Sequence, residues 1–106
     1  LLVAALHVGF LALEMFLWTG PIGQRVFATT AAFAAQSAVL AANQGLYNGF
    51  LAAGLLWGLM AGDPVKIFFL SCVIIAGIFG AFTVSKRIFY IQAVPAIVAL
   101  VILLVA

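Results

Sequence analysis

Charged side chains are nearly missing: 106 residues hold four Lys or Arg and two Asp or Glu. With 6% charged and 69% hydrophobic residues, against roughly 25% and 45–50% in an ordinary soluble domain, the chain cannot cover its apolar surface with solvated groups. A water-soluble fold is excluded. The four cations are too few and too dispersed to neutralise a run of phosphates, so no nucleic-acid partner is expected. A single cysteine, Cys72, forbids an intrachain disulfide. With His7 as the single histidine, one chain cannot assemble a three- or four-ligand zinc site, and no metal or cofactor is expected. The opening apolar run lacks a basic flank and a small-residue cleavage site and contains Glu14, so it does not read as a signal peptide. It begins in mid-run at Leu1 without a methionine, and residues are expected to precede it.

What is present is long apolar runs, and the bilayer is the expected partner. A membrane helix needs about 20 largely apolar residues, and four stretches meet this: residues 1–18, 30–60, 65–84 and 88–106. The expectation is all-α, a single integral membrane bundle of four transmembrane helices joined by short loops. Thr19, Gly20 and Pro21 end the first span. Thr30 is placed to cap the second, which at about 30 residues either tilts strongly or carries a separate helical turn over residues 31–37. Asp63 and Pro64 read as N-cap and first residue of the third, and Ser85, Lys86 and Arg87 as a tight turn before the fourth. Pro95 lies inside that last span, where it removes a backbone hydrogen bond and crowds the carbonyl of Ile91, so a bend is expected. Arg25, Lys86 and Arg87 oppose Lys66 across the membrane, which puts the first and third loops in the cytoplasm and both termini outside.

Small residues recur at helix-packing spacing. Gly45 with Gly49 and Gly54 with Gly58 are four apart in the second span, and Gly77 and Gly80 lie on the third. In lipid such residues let backbones approach closely. At 100° per residue, Gly54 and Gly58 share a face with Asn43 and Tyr47, while Gly45 and Gly49 lie on the other side. Leu55 is expected to face lipid.

Glu14 is the one carboxylate within a span. Its charged form costs roughly 2.5–3.5 kcal/mol at the bilayer centre, so it must face protein, water or headgroups. His7 precedes it by two turns on the same face, about 10 Å away. Asn43, Gln44, Tyr47 and Asn48 crowd the second span, and Gln92 opens the fourth. These seven residues are the candidate lining of an intramembrane polar pocket, because ionisable groups in membranes mark ligand, ion or proton paths by default.

Three functions fit. The first is a ligand-binding or transport module, as a homo-oligomer, taking a small lipophilic or polar ligand. The second is an intramembrane enzyme that shuttles a proton on a lipid-like substrate through His7 and Glu14. The third is a structural partner that packs through its glycine faces.

The run Glu14-Met15-Phe16-Leu17-Trp18, then Val26-Phe27, then the block from Ala42 to Gly54 (ANQGLYNGFLAAG), resembles a family of small membrane proteins known as domain of unknown function 1304. The likeness continues through Trp57-Gly58, residues 72–80 and residues 92–100. It implies four transmembrane helices and no established activity. Relatives often carry proline after the threonine that opens the second helix; Ala31 stands there in this chain.

Overall fold

The computed structural model describes every residue except Val84, Ser85 and Ala106. The described chain is all-α. Its helices are α1 (Leu2–Met15), α2 (Pro21–Phe27), α3 (Ala31–Ala61), α4 (Asp63–Thr83) and α5 (Lys86–Val105). By length and composition α4 and α5 suffice to cross a membrane, with mean hydropathies of 2.3 and 2.7. The pair α2 and α3, bent by 88°, supplies a third span when counted as one. Part of the expected polar turn, Ser85, and the expected helix ends at Val84 and Ala106 fall outside the described residues.

Two differences from the sequence reading concern where helices stop. The first helix runs 14 residues and ends at Met15, short of Trp18. Its end is closed by Phe16 and Leu17, whose N–H groups both donate to the Ala12 carbonyl. Residues 21–27, taken as connection, form α2: Pro21 sits at the first helical position, where a missing donor costs nothing. Ala28 closes α2 in the left-handed conformation at φ 54°.

The second expected helix is continuous, so no separate turn forms over residues 31–37. Thr30 caps it, its hydroxyl accepting from the Phe33 N–H at 3.2 Å. One residue, Gly62, connects α3 to α4 at φ 105°, a conformation that side chains rarely adopt. Asp63 is already the first residue of α4 and pairs with Lys66 at 3.4 Å. In α5 a π-helical turn, Phe89–Ala93, precedes Pro95 and sends the Val94 N–H to the Phe89 carbonyl. Widening the turn there accommodates a ring that an α-helix would drive into the carbonyl four residues back.

The chain divides into two compact units, Leu1–Leu6 with Leu51–Ala106, and His7–Phe50. The core of the first gathers Val3, Ala4, Ala52, Leu55, Leu70, Val73 and Ala96. Leu55 is 7% exposed there, so it does not face lipid as expected; Leu56, one residue on, is 44% exposed. Glycines set the helix contacts of this unit. A Cβ on Gly77 would lie 2.8 Å from the Ala93 nitrogen, one on Gly80 2.8 Å from Ile88 Cγ2, and one on Gly54 would collide with the Phe69 ring. Gly58 abuts Lys66, with 2.7 Å to Cγ.

In the second unit α1 runs antiparallel to α3, Leu11 lying against Gly49 and Met15 against Gly45. Trp18, after the end of α1, donates from Nε1 to the Ser37 hydroxyl at 3.0 Å, and Ser37 donates onward to the Phe33 carbonyl at 2.7 Å. The Trp18 ring also packs on Phe27, with centroids 4.8 Å apart. Gly23 seats α2 directly on the backbone of Leu17 and Trp18.

Candidate functional site

The second unit positions the one carboxylate of the predicted spans. Glu14 lies in the last turn of α1, half-buried, and Asn48, buried on α3, donates from Nδ2 to its Oε1. Close approach makes this reach possible: at Gly45, one turn before Asn48, an added Cβ would lie 3.1 Å from Glu14 Cβ and 3.2 Å from the Leu11 carbonyl oxygen. A side chain there would push α1 away. The pair therefore depends on a glycine contact, and packing and chemistry share one place. Among the described residues the second carboxyl oxygen of Glu14 takes no hydrogen bond.

His7 is fully buried, with its ring set edge-on to Phe10 at 5.1 Å and 73°. Asn43, Gln44 and Tyr47 stand on a different sector of α3 and are exposed, Tyr47 stacking edge-on with Phe50 at 5.7 Å. Gln92 belongs to the other unit, in the π turn of α5. Of the seven polar candidates, the structure joins Glu14 and Asn48 by a hydrogen bond. Trp18 and Ser37, which were not among them, form a further polar link between the α1 end and α3.

No group of three or more potential metal ligands exists among the described residues. The first unit holds an apolar cleft of about 390 Å³ in which Lys66 is the charged lining residue; none of the seven polar candidates lines it.

Neither a curated protein nor a solved structure matches the chain. A family model described as "Protein of unknown function (DUF1304)" matches residues 1–104, nearly the full length, and the chain belongs to that family.

Proposed function

We propose that the chain is an integral membrane protein of four spans, and that it binds the polar end of a lipophilic ligand at Glu14. The observation that carries this is the Glu14–Asn48 hydrogen bond beside the end of α1. Gly45 sets Glu14 level with the middle of α3, whose 31 residues rise about 46 Å. If α3 crosses the bilayer, that level is deep in hydrocarbon. A carboxyl group there, a helix end with its unpaired carbonyls and five non-helical residues, Phe16–Gly20, are tolerated only where they are buried in protein or line a cavity. Discontinuous helices frame ligand sites in membrane transporters for the same reason.

The groups collected at Glu14 favour hydrogen-bond donors. A helix C-terminus carries partial negative charge, and a carboxylate accepts. An amine or hydroxyl on an alkyl chain is therefore the preferred ligand class, and a carboxylate the disfavoured one. The enzyme reading needs His7 and Glu14 on one substrate, yet they are two helical turns apart and His7 is fully buried. Binding is the simpler use of the site. The cation distribution supports cytoplasmic first and third connections, with α2 and its Arg25 lying along the membrane surface.

The test uses Trp18 as reporter in a Trp57→Phe background, in neutral phosphatidylcholine vesicles. A brominated long-chain amine should quench Trp18 saturably, a matched carboxylate should not, and Glu14→Gln should weaken the amine response. Equal quenching by both chains, or no effect of Glu14→Gln, would sink the site. Extraction of the protein from membranes by alkaline carbonate would sink the membrane assignment itself.

A further inference from the structure

We infer that the exposed sector of α3 carrying Gln36, Leu40, Asn43, Gln44 and Tyr47 is the contact surface for a second copy of this chain. All five are exposed. At 100° per residue they fall within an arc of about 100°, beside a purely apolar sector that includes Val39 and Leu46. Gln44 lies two residues from the midpoint of α3. With α3 centred in the bilayer, Asn43, Gln44 and Tyr47 lie at least about 10 Å from the headgroups, beyond the reach of their side chains, so these three cannot solve their hydration by extending to the interface. Polar groups left against lipid tails are costly. Something must meet them.

The chemistry of the sector selects the occupant. Copies inserted by one route share one orientation, so a two-fold dimer has its axis along the membrane normal and sets residues near that axis against their own counterparts at the same depth. A charged residue would then oppose like charge. An amide carries both a donor NH2 and an acceptor carbonyl, and a phenol hydroxyl both donates and accepts. Gln36, Asn43, Gln44 and Tyr47 are all of this self-pairing kind, and the sector contains no Asp, Glu, Lys or Arg. Buried amides in helix interfaces fix partner number and register in just this way. The sector is distinct from Asn48, which is turned to Glu14, so a dimer leaves the ligand site intact.

Cysteine crosslinking in phosphatidylcholine vesicles tests the inference, in a Cys72→Ala background that removes the native thiol. Asn43→Cys and Tyr47→Cys should give disulfide-linked dimers under mild oxidation, and Val39→Cys and Leu46→Cys should not. Energy transfer between donor- and acceptor-labelled protein should show the Asn43→Leu, Gln44→Leu double variant dissociating about tenfold more readily than wild type, with Asn43→Gln retaining association. Equal crosslinking from Val39→Cys would overturn the assignment. So would a monomeric wild type: with Asn43→Cys open to an aqueous maleimide it would put water on this face, and with that thiol closed it would give the face to a different protein or to another part of the chain. Loss of dimerisation with amine quenching of Trp18 unchanged separates this surface from the Glu14 site.

Discussion

Replacing glycines with alanine, one at a time, offers a graded measure of how closely the helices approach. Alanine in a helix is favoured over glycine by about 1 kcal/mol, so any departure from that gain reports what the new methyl group meets. At Gly9 it meets nothing within 4 Å, and Gly9→Ala should stabilise by about 0.5–1 kcal/mol. At Gly49 it meets the end of one flexible side chain, Leu11 Cδ1 at 2.7 Å; that methyl can rotate away, and the net change should lie within about 0.5 kcal/mol of zero. Gly45 differs because two of its neighbours are fixed: Glu14 Cβ at 3.1 Å and the Leu11 carbonyl oxygen at 3.2 Å. Overpacking costs about 1–3 kcal/mol, which leaves a net destabilisation of about 1 kcal/mol once the propensity gain is subtracted. Gly77 meets the Cβ, nitrogen and Cα of Ala93 at 2.8, 2.8 and 3.1 Å, none of which can rotate away, and should be worst, at about 2 kcal/mol. Reversible unfolding in bicelles would give the four values. The order Gly9, Gly49, Gly45, Gly77 is the content of the prediction. If Gly45→Ala stabilises as much as Gly9→Ala, α1 and α3 do not approach as described, and the Glu14–Asn48 hydrogen bond loses its structural basis. An infrared carboxyl band shifted in Gly45→Ala and unshifted in Gly49→Ala would tie the packing to the site.

Three further outcomes are expected. Ala28→Gly should stabilise by about 0.5–1 kcal/mol in the same unfolding assay, because φ 54° is strained for alanine and free for glycine. Gly54→Leu and Gly58→Leu should each cost more than Leu56→Ala, since Phe69 and Lys66 occupy the space the new side chains need, whereas an exposed leucine loses little to lipid; equal tolerance would refute the α3–α4 contact. In a Cys72→Ala background, a membrane-impermeant thiol reagent applied outside should label Pro64→Cys and spare Gly20→Cys, and the reverse pattern would invert the proposed orientation.

Helix content was legible because it follows from composition and punctuation. Thr30 and the Gly20-Pro21 pair mark real helix starts, each through a local backbone requirement, and the boundary read at Asp63-Pro64 falls one residue earlier, at Gly62. What Gly20-Pro21 marks was misread: the pair starts α2, whereas α1 stops five residues earlier at Met15, and seven residues are too few for a periodic signal. The polar site was legible in composition and obscure in phase. Asn43, Gln44, Tyr47 and Asn48 span an arc of about 140°, and nothing in that arc says which edge turns inward. The glycines decide it. Gly45 and Gly49 lie beyond the Asn48 edge, and because close packing in lipid goes to small residues, α1 settles on them and meets Asn48 first. Leu55 failed for a related reason: it lies only 100° from Gly54, and a helix packed on more than one side buries the flank of its glycine face as well.

Where α1 stops bears on the chemistry proposed for Glu14. α1 stops at Met15, and five non-helical residues separate it from α2. A helix continued to Trp18 would carry its unpaired carbonyls toward the headgroups, where water satisfies them, and would leave Glu14 as an isolated acid against α3. Ending at Met15 instead brings those carbonyls to the level of Glu14 and Gly45, so the acceptors concentrate at one depth. The chain must then offset the exposed backbone ends, and it does so in part with the Trp18–Ser37–Phe33 relay and the seating of Gly23 on Leu17 and Trp18. In the proposed site the end of α1 at Met15 thus gathers acceptors beside a carboxyl group that Asn48 holds by Oε1.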